Sequence, residues 1–129
     1  DGLAKASYKL GEYKNAIKYS SQAIQINNQN QYSYYTRAIS KGKSGDLKGA
    51  ISDFDKAIKL DPQYKSAINS RGLVQSKLGR KKLACKDWKE AAKLGHLKSA
   101  KWFKEDCWGI YNKLGIISLI KWEVYNWFF

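Results

Sequence analysis

A chain of 129 residues has the length of one domain with a modest core. Its 43% apolar content excludes global disorder, and a single proline, Pro62, with few turn-rich clusters argues against a many-stranded sheet. The net charge of +13 is lopsided: residues 1–64 hold 10 basic and 6 acidic side chains, net +4, and residues 65–129 hold 14 and 5, net +9. Such a field attracts acidic proteins, nucleic acid or anionic lipid, although lysines scattered over helical faces also simply keep a surface soluble.

In chain order, the apolar periodicity predicts helices over 1–10, 13–26, 31–44, 47–60, 65–78 and 81–93. Asp46 is placed to cap the fourth, and Asp61-Pro62 ends it, since the residue before proline disfavours helix. The pattern breaks at Gly95-His96. Residues 97–106 then read as one short helix, with Leu97, Ala100 and Phe103 covering the open end of the preceding pair. The segment 108–129 differs in kind. Its residues include Trp108, Trp122, Trp127, Phe128 and Phe129 among many aliphatics, and its only charges are Lys113, Lys121 and Glu123. It is near bilayer-spanning length, but its charges and spread aromatics suit an interfacial helix better than a span. Three other readings stay open: packing back onto the fold, a homodimer contact, or a non-native extension of the reading frame. An apolar tail of this size needs a cover. The chain holds no methionine and opens inside an expected helix, which points to a fragment or a truncated reading frame.

Three columns of small residues recur at a spacing of 34: Gly11, Gly45 and Gly79; Ala16, Ala50 and Ala84; Ala23, Ala57 and Ala91. The glycines suit the left-handed position that ends a helix, and the alanines let a neighbouring helix approach closely. A 34-residue helix–turn–helix unit cannot bury its apolar face alone, so stacked units bury it against each other. In this register the sequence resembles the tetratricopeptide repeat family. The middle unit, 31–64, supplies Tyr34, Ala38, Ala50, Phe54, Ala57 and Pro62. The third, 65–94, supplies Gly72, Ala84, Trp88 and Ala91, and the first, 1–30, supplies Leu3, Ala4, Ala16 and Ala23. The resemblance implies an all-α solenoid over 1–94, followed by a capping helix over 95–107 and the apolar tail over 108–129.

The chain departs from the family pattern in places. Arg37 and Arg71 fill a leucine slot, Lys41 and Gln75 a tyrosine slot, Ser20 an aromatic slot, and Asn28 and His96 the proline slot. A core-facing arginine needs a partner. Asp53 and Asp87 lie sixteen residues after Arg37 and Arg71, so Arg37–Asp53 and Arg71–Asp87 are expected as repeated internal ion pairs.

In the family the first helices line a concave groove that holds a peptide. Carried over by register, that groove would receive Lys5, Tyr8 and Lys9 from unit one. Unit two would give Tyr32, Tyr35, Thr36, Ile39 and Lys43, and unit three Ser66, Asn69, Ser70, Leu73 and Lys77. Lys9, Lys43 and Lys77 form a ladder beside tyrosines. Tyrosine offers amphipathic contact area and lysine attracts acidic groups, while the alternative is that the lysines only solvate helix ends. One family subset grips chaperone tails with a carboxylate clamp. Its slots here hold Asp1, Lys5, Thr36, Ser66 and Ser70, of which only Lys5 is cationic, so the resemblance does not extend to that ligand.

A second basic surface runs through Arg80, Lys81, Lys82, Lys86 and Lys89 and could meet phosphate or anionic lipid. Aromatics interleaved for base stacking are missing apart from Trp88, which belongs to the core, so nucleic acid is a weak reading. Cys85 and Cys107 are too few for a disulfide scaffold. They read as idle buried thiols, with one Cys85–Cys107 bridge as the alternative. One histidine, two separated thiols and scattered carboxylates do not converge on a catalytic or metal centre, and no cofactor is implied. The expected function is therefore a non-catalytic scaffold recruiting an acidic or amphipathic peptide. The alternatives are a membrane-surface adaptor held by the tail and a weak anion or nucleic-acid binder. The compartment is open, with the cytoplasm as the default and a membrane-peripheral place as the alternative.

Overall fold

The computed structural model describes residues 2–107 and 109. Six helices form three antiparallel pairs: α1 (Gly2–Lys9) with α2 (Tyr13–Ile26), α3 (Gln31–Lys43) with α4 (Leu47–Leu60), and α5 (Lys65–Lys77) with α6 (Lys81–Lys93). Each helix packs on the next in sequence, and the first helices of successive units also touch, α1 on α3 and α3 on α5. That succession is an α-solenoid. The expected tail 108–129, with its interfacial, packing and dimer readings, lies outside the described residues. Among those described, no helix is long and apolar enough to cross a membrane.

The glycine column works as its chemistry requires. Gly11, Gly45 and Gly79 have φ of +78°, +94° and +75°, a region L side chains rarely enter. In each case the next residue's N–H reaches back five residues, as in Asp46 N to Lys41 O at 2.9 Å, which satisfies carbonyls that the helix end leaves open. Gly95 does the same at φ +90°, with His96 N on Ala91 O at 3.0 Å. The break read in the sequence there is thus a fourth helix stop. Starts are capped too: Asp46 Oδ1 accepts from Gly49 N (2.9 Å) and Asn30 Oδ1 from Tyr32 N (2.9 Å).

The core runs through the alanine columns. Ala16, Ala50, Ala84, Ala57 and Ala91 are fully buried, as are Ala4 and Ala38. Small and large residues are matched at equivalent places. Ala38 shares its unit with Phe54. One register later the bulkier Trp88 comes with Gly72, where an added Cβ would sit 2.8 Å from the indole Nε1.

Arg37 and Arg71 turn inward onto carboxylates. Arg37 donates through Nε and Nη2 to both oxygens of Asp53, each at 2.8 Å, and through Nη1 to Ser21 Oγ at 3.2 Å. Arg71 repeats the arrangement with Asp87 (3.0 and 2.7 Å) and reaches Asp55 at 2.8 Å. Each arginine therefore bridges the second helix of its own unit and that of the preceding unit. Lys41 joins the first cluster, with Nζ 2.9 Å from Asp53 Oδ2. The Asp53 hydrogen bonds hold the Arg37 guanidinium above its ordinary value, so the pair stays charged.

The C-terminal cap corrects two expectations. Residues 97–106 do not form one α-helix: α7 spans Leu97–Trp102, and Phe103–Cys107 widens into a π-helical turn. Leu97 does not cover the third pair; it is 85% exposed, because it opens α7 on the solvent side. Phe103, also expected in the cover, is fully buried, and Trp102 packs on Trp88 with ring centroids 5.7 Å apart. Buried Ser99 donates to Asn69 Oδ1 at 2.6 Å, tying α7 to α5. Cys85 and Cys107 are joined as a disulfide, so they are not idle thiols.

His96 caps α7, its Nδ1 accepting from Ser99 N at 3.2 Å. Acceptance requires an unprotonated Nδ1. Partial burial and the charges of Lys65 and Lys98 push the imidazole down from its ordinary 6.5. With the folded value depressed, the cap's stability is fully present above the unfolded value and is lost as pH falls through the folded one. Melting in mildly acid buffer should therefore show a lower stability than at pH values above 6.5. His96→Asn keeps a capping oxygen and should remove most of that dependence; an unchanged pH profile in the variant would refute the assignment.

Candidate functional site

The first helices present a concave cavity of about 240 Å³. Tyr8 comes from α1, Tyr35, Ala38, Ile39, Gly42 and Lys43 from α3, and Ser70, Leu73, Val74 and Lys77 from α5, with the Phe54 ring of α4 also in the lining. The first helices supply the wall because the 34-residue register repeats their faces in parallel, while the second helices stack behind. Buried Ala38, Phe54 and Val74 form an apolar base. Gly42 leaves that base open: a Cβ there would meet only Ala50 and Val74, at 3.8 and 3.9 Å.

Polar groups border the base. The Tyr35 phenol is pushed up from its ordinary value by burial, with a Ser70 hydrogen bond acting in the other direction. It is therefore neutral and can both donate and accept. Tyr35 also packs against Tyr64 (4.9 Å between centroids) and Phe54 (6.0 Å), which fixes its ring. Lys43 and Lys77, equivalent positions on α3 and α5, add two exposed cations at one end.

Of the thirteen groove residues read from the register, Tyr8, Tyr35, Ile39, Lys43, Ser70, Leu73 and Lys77 meet around this cavity. The others lie elsewhere. Thr36 and Asn69 are buried between helices, Asn69 on Ser99. Tyr32 stacks edge-on against Tyr64 at 5.5 Å, and Ser66 is half-buried. Lys5 and Lys9 are exposed on α1 outside the cavity lining. The register did not single out Ala38, Gly42, Phe54 or Val74 as groove residues. For Ala38, Gly42 and Val74 the signal was that small or apolar residues alternate with the predicted ones on the same first helices, whereas Phe54 reaches the lining from α4.

A stack of helix pairs with a concave, mixed apolar and cationic groove defines an α-solenoid interaction module. The family description for the tetratricopeptide repeat matches residues 2–30 and 32–64, which are the first two helix pairs. Solved structures agree. The Arabidopsis OM64 TPR domain is 27% identical over 81% of this chain and 87% of that one, with a TM-score of 0.76. The second TPR domain of human RPAP3, solved in complex with the HSP70 peptide SGPTIEEVD, is 25% identical over 79% and 87%, at 0.74. MamA shares the fold at 19% identity, covering 98% of this chain and 71% of its own, at 0.77. No curated protein matches the chain.

Proposed function

We infer that this protein is a non-catalytic scaffold whose concave groove binds an acidic or amphipathic peptide. The observation that carries this reading is the convergence of an apolar base, a fixed Tyr35 and the pair Lys43 and Lys77 around one cavity. An apolar side chain of the ligand fills the base, and an acidic neighbour meets the lysines. The RPAP3 relative binds a peptide ending in two acidic residues, valine and aspartate, which supports an acidic ligand class. The mode of grip differs here, because the carboxylate-clamp slots hold Thr36, Ser66 and Ser70.

Random nonapeptides displayed on phage and selected against the full chain test this. The enriched sequences should combine acidic residues with one bulky apolar residue. In fluorescence anisotropy, Lys43→Glu with Lys77→Glu should weaken the best peptide by about 10- to 100-fold without lowering the melting temperature. Gly42→Leu, which fills the cavity, should weaken it as well. Enrichment of neutral or basic peptides, or an affinity indifferent to both changes, would rule the groove out.

A further inference from the structure

The groove's cavity opens where one side chain is missing. We propose that its apolar base is a slot for an aromatic side chain of the bound peptide, matched best by tyrosine. This rests on the groove being the peptide site and adds what the site selects. Thirty-four residues before Gly42 stands Tyr8, at the same repeat position. Tyr8 is half-buried, lines the cavity, and rests on Tyr13 with ring centroids 5.7 Å apart. Unit one thus fills this place with a ring of its own, and unit two leaves it empty.

The backbone does not ask for glycine at 42. Gly11, Gly45 and Gly79 end helices at positive φ, whereas Gly42 lies inside α3 and has no positive φ. Glycine within a helix lowers its stability, so the backbone would be better served by any ordinary side chain. Space is not the obstacle either, since a Cβ at 42 would make only ordinary contacts with Ala50 and Val74. The result is a gap of about 240 Å³ in the middle unit.

The walls of the gap suit a ring. Tyr8 stands on one side, and the Tyr35 and Phe54 rings meet at 54° with centroids 6.0 Å apart. Tilted aromatic pairs attract beyond their area burial, so a ligand ring gains more here than an aliphatic chain. Ser70 and the neutral Tyr35 phenol lie beside the base and can bond a ligand hydroxyl, which favours tyrosine. Lys43 and Lys77 are left for acids flanking the ring. Among the described residues neither lysine is in an ion pair. The acids of the turns after α1 and α3 are engaged, Glu12 with Asn15 and Asp46 with Gly49 N.

The first probe is p-cresol, the tyrosine side-chain analogue, added to the full chain. It should shift the NMR signals of the Gly42 amide and of the Tyr8, Tyr35 and Phe54 rings. Gly42→Tyr supplies the ring from within: its melting temperature should hold or rise, and p-cresol should no longer bind. The second probe is a labelled peptide pair, Gly-Glu-Glu-Tyr-Glu-Glu-Gly and the same sequence with leucine at its centre. In fluorescence anisotropy the tyrosine peptide should bind about 3- to 10-fold tighter, and the difference should vanish in Gly42→Tyr. Absent p-cresol shifts, p-cresol binding that survives Gly42→Tyr, a lower-melting variant, or a leucine peptide that binds equally well would each overturn the aromatic slot and leave the acidic-peptide scaffold standing. A p-cresol site blocked by Gly42→Tyr, with the tyrosine peptide indifferent to Lys43→Glu and Lys77→Glu, would uphold the slot and refute the acidic ligand instead.

Discussion

Asp53→Ala should destabilise the protein by about 3–5 kcal/mol, lowering the melting temperature by roughly 10 °C or more. Asp53 is 3% exposed, and it answers two cations: Arg37 through a two-point contact and Lys41 through Oδ2. Arg37 and Lys41 are four residues apart on α3, so removing the carboxylate leaves two like charges facing each other on one helix. Their side chains are only 21% and 22% exposed, too little for water to replace the lost partner without moving the helix. The mutation acts on the junction between units rather than on one helix, because Arg37 also reaches Ser21 on α2.

Breaking the cluster and replacing it are different experiments. Arg37→Met, Lys41→Met and Asp53→Leu together remove every charge of this cluster, and should recover most of the stability lost by Asp53→Ala, since apolar residues of similar volume substitute well for buried ions. Unit one already lacks the pair, with Leu3 and Tyr19 at the register positions of Arg37 and Asp53. Calorimetry on the two variants decides the point. A small effect of Asp53→Ala would mean the pair contributes little to the junction. A triple variant no better than the single would mean that the cluster's geometry, and not its charge balance, holds the helices in register.

The arginine cluster also shows how far sequence reasoning reaches. Arg37 and Arg71 stand out because each breaks an apolar slot, and the sixteen-residue step to Asp53 and Asp87 repeats with the 34-residue period. The further members, Ser21 and Asp55, lie sixteen residues before the arginines, on the preceding unit. Their role depends on the rotation between units, which periodicity does not encode. The same limit explains the groove. Register assigns Tyr35 and Thr36 to one side of α3, yet one residue of helix turns the side chain by 100°, enough to take Thr36 from the groove to the interior. Asn69 and Ser70 divide in the same way on α5. Small residues such as Gly42 shape the cavity by what they lack, so no side-chain chemistry announces them. At the cap, the sequence marks His96 as a break and a proline-slot departure but not as a cap, because the usual capping residues are Ser, Thr, Asp and Asn.

Reducing the Cys85–Cys107 bond should cost about 3 kcal/mol, the loop-closure value for a span of this length, given the sequence separation of 22. Both cysteines are fully buried, one in α6 and one at the end of the π-helical turn. Between them lie Gly95, α7 and the whole cap, whose other ties to the repeats include Phe103, the Trp88–Trp102 contact and the Ser99–Asn69 hydrogen bond. A six-residue helix does not persist unaided. The reduced protein should therefore open from the C-terminal end, with proteolysis between residues 95 and 107 accelerating before the first two units melt. Cys85→Ser with Cys107→Ser should behave like the reduced protein. A melting temperature unmoved by reductant, together with two titratable thiols in the untreated protein, would show that the cap is held by packing alone. The expected result would instead make the bond the element that keeps the third pair covered, and would limit its lasting function to an oxidising setting.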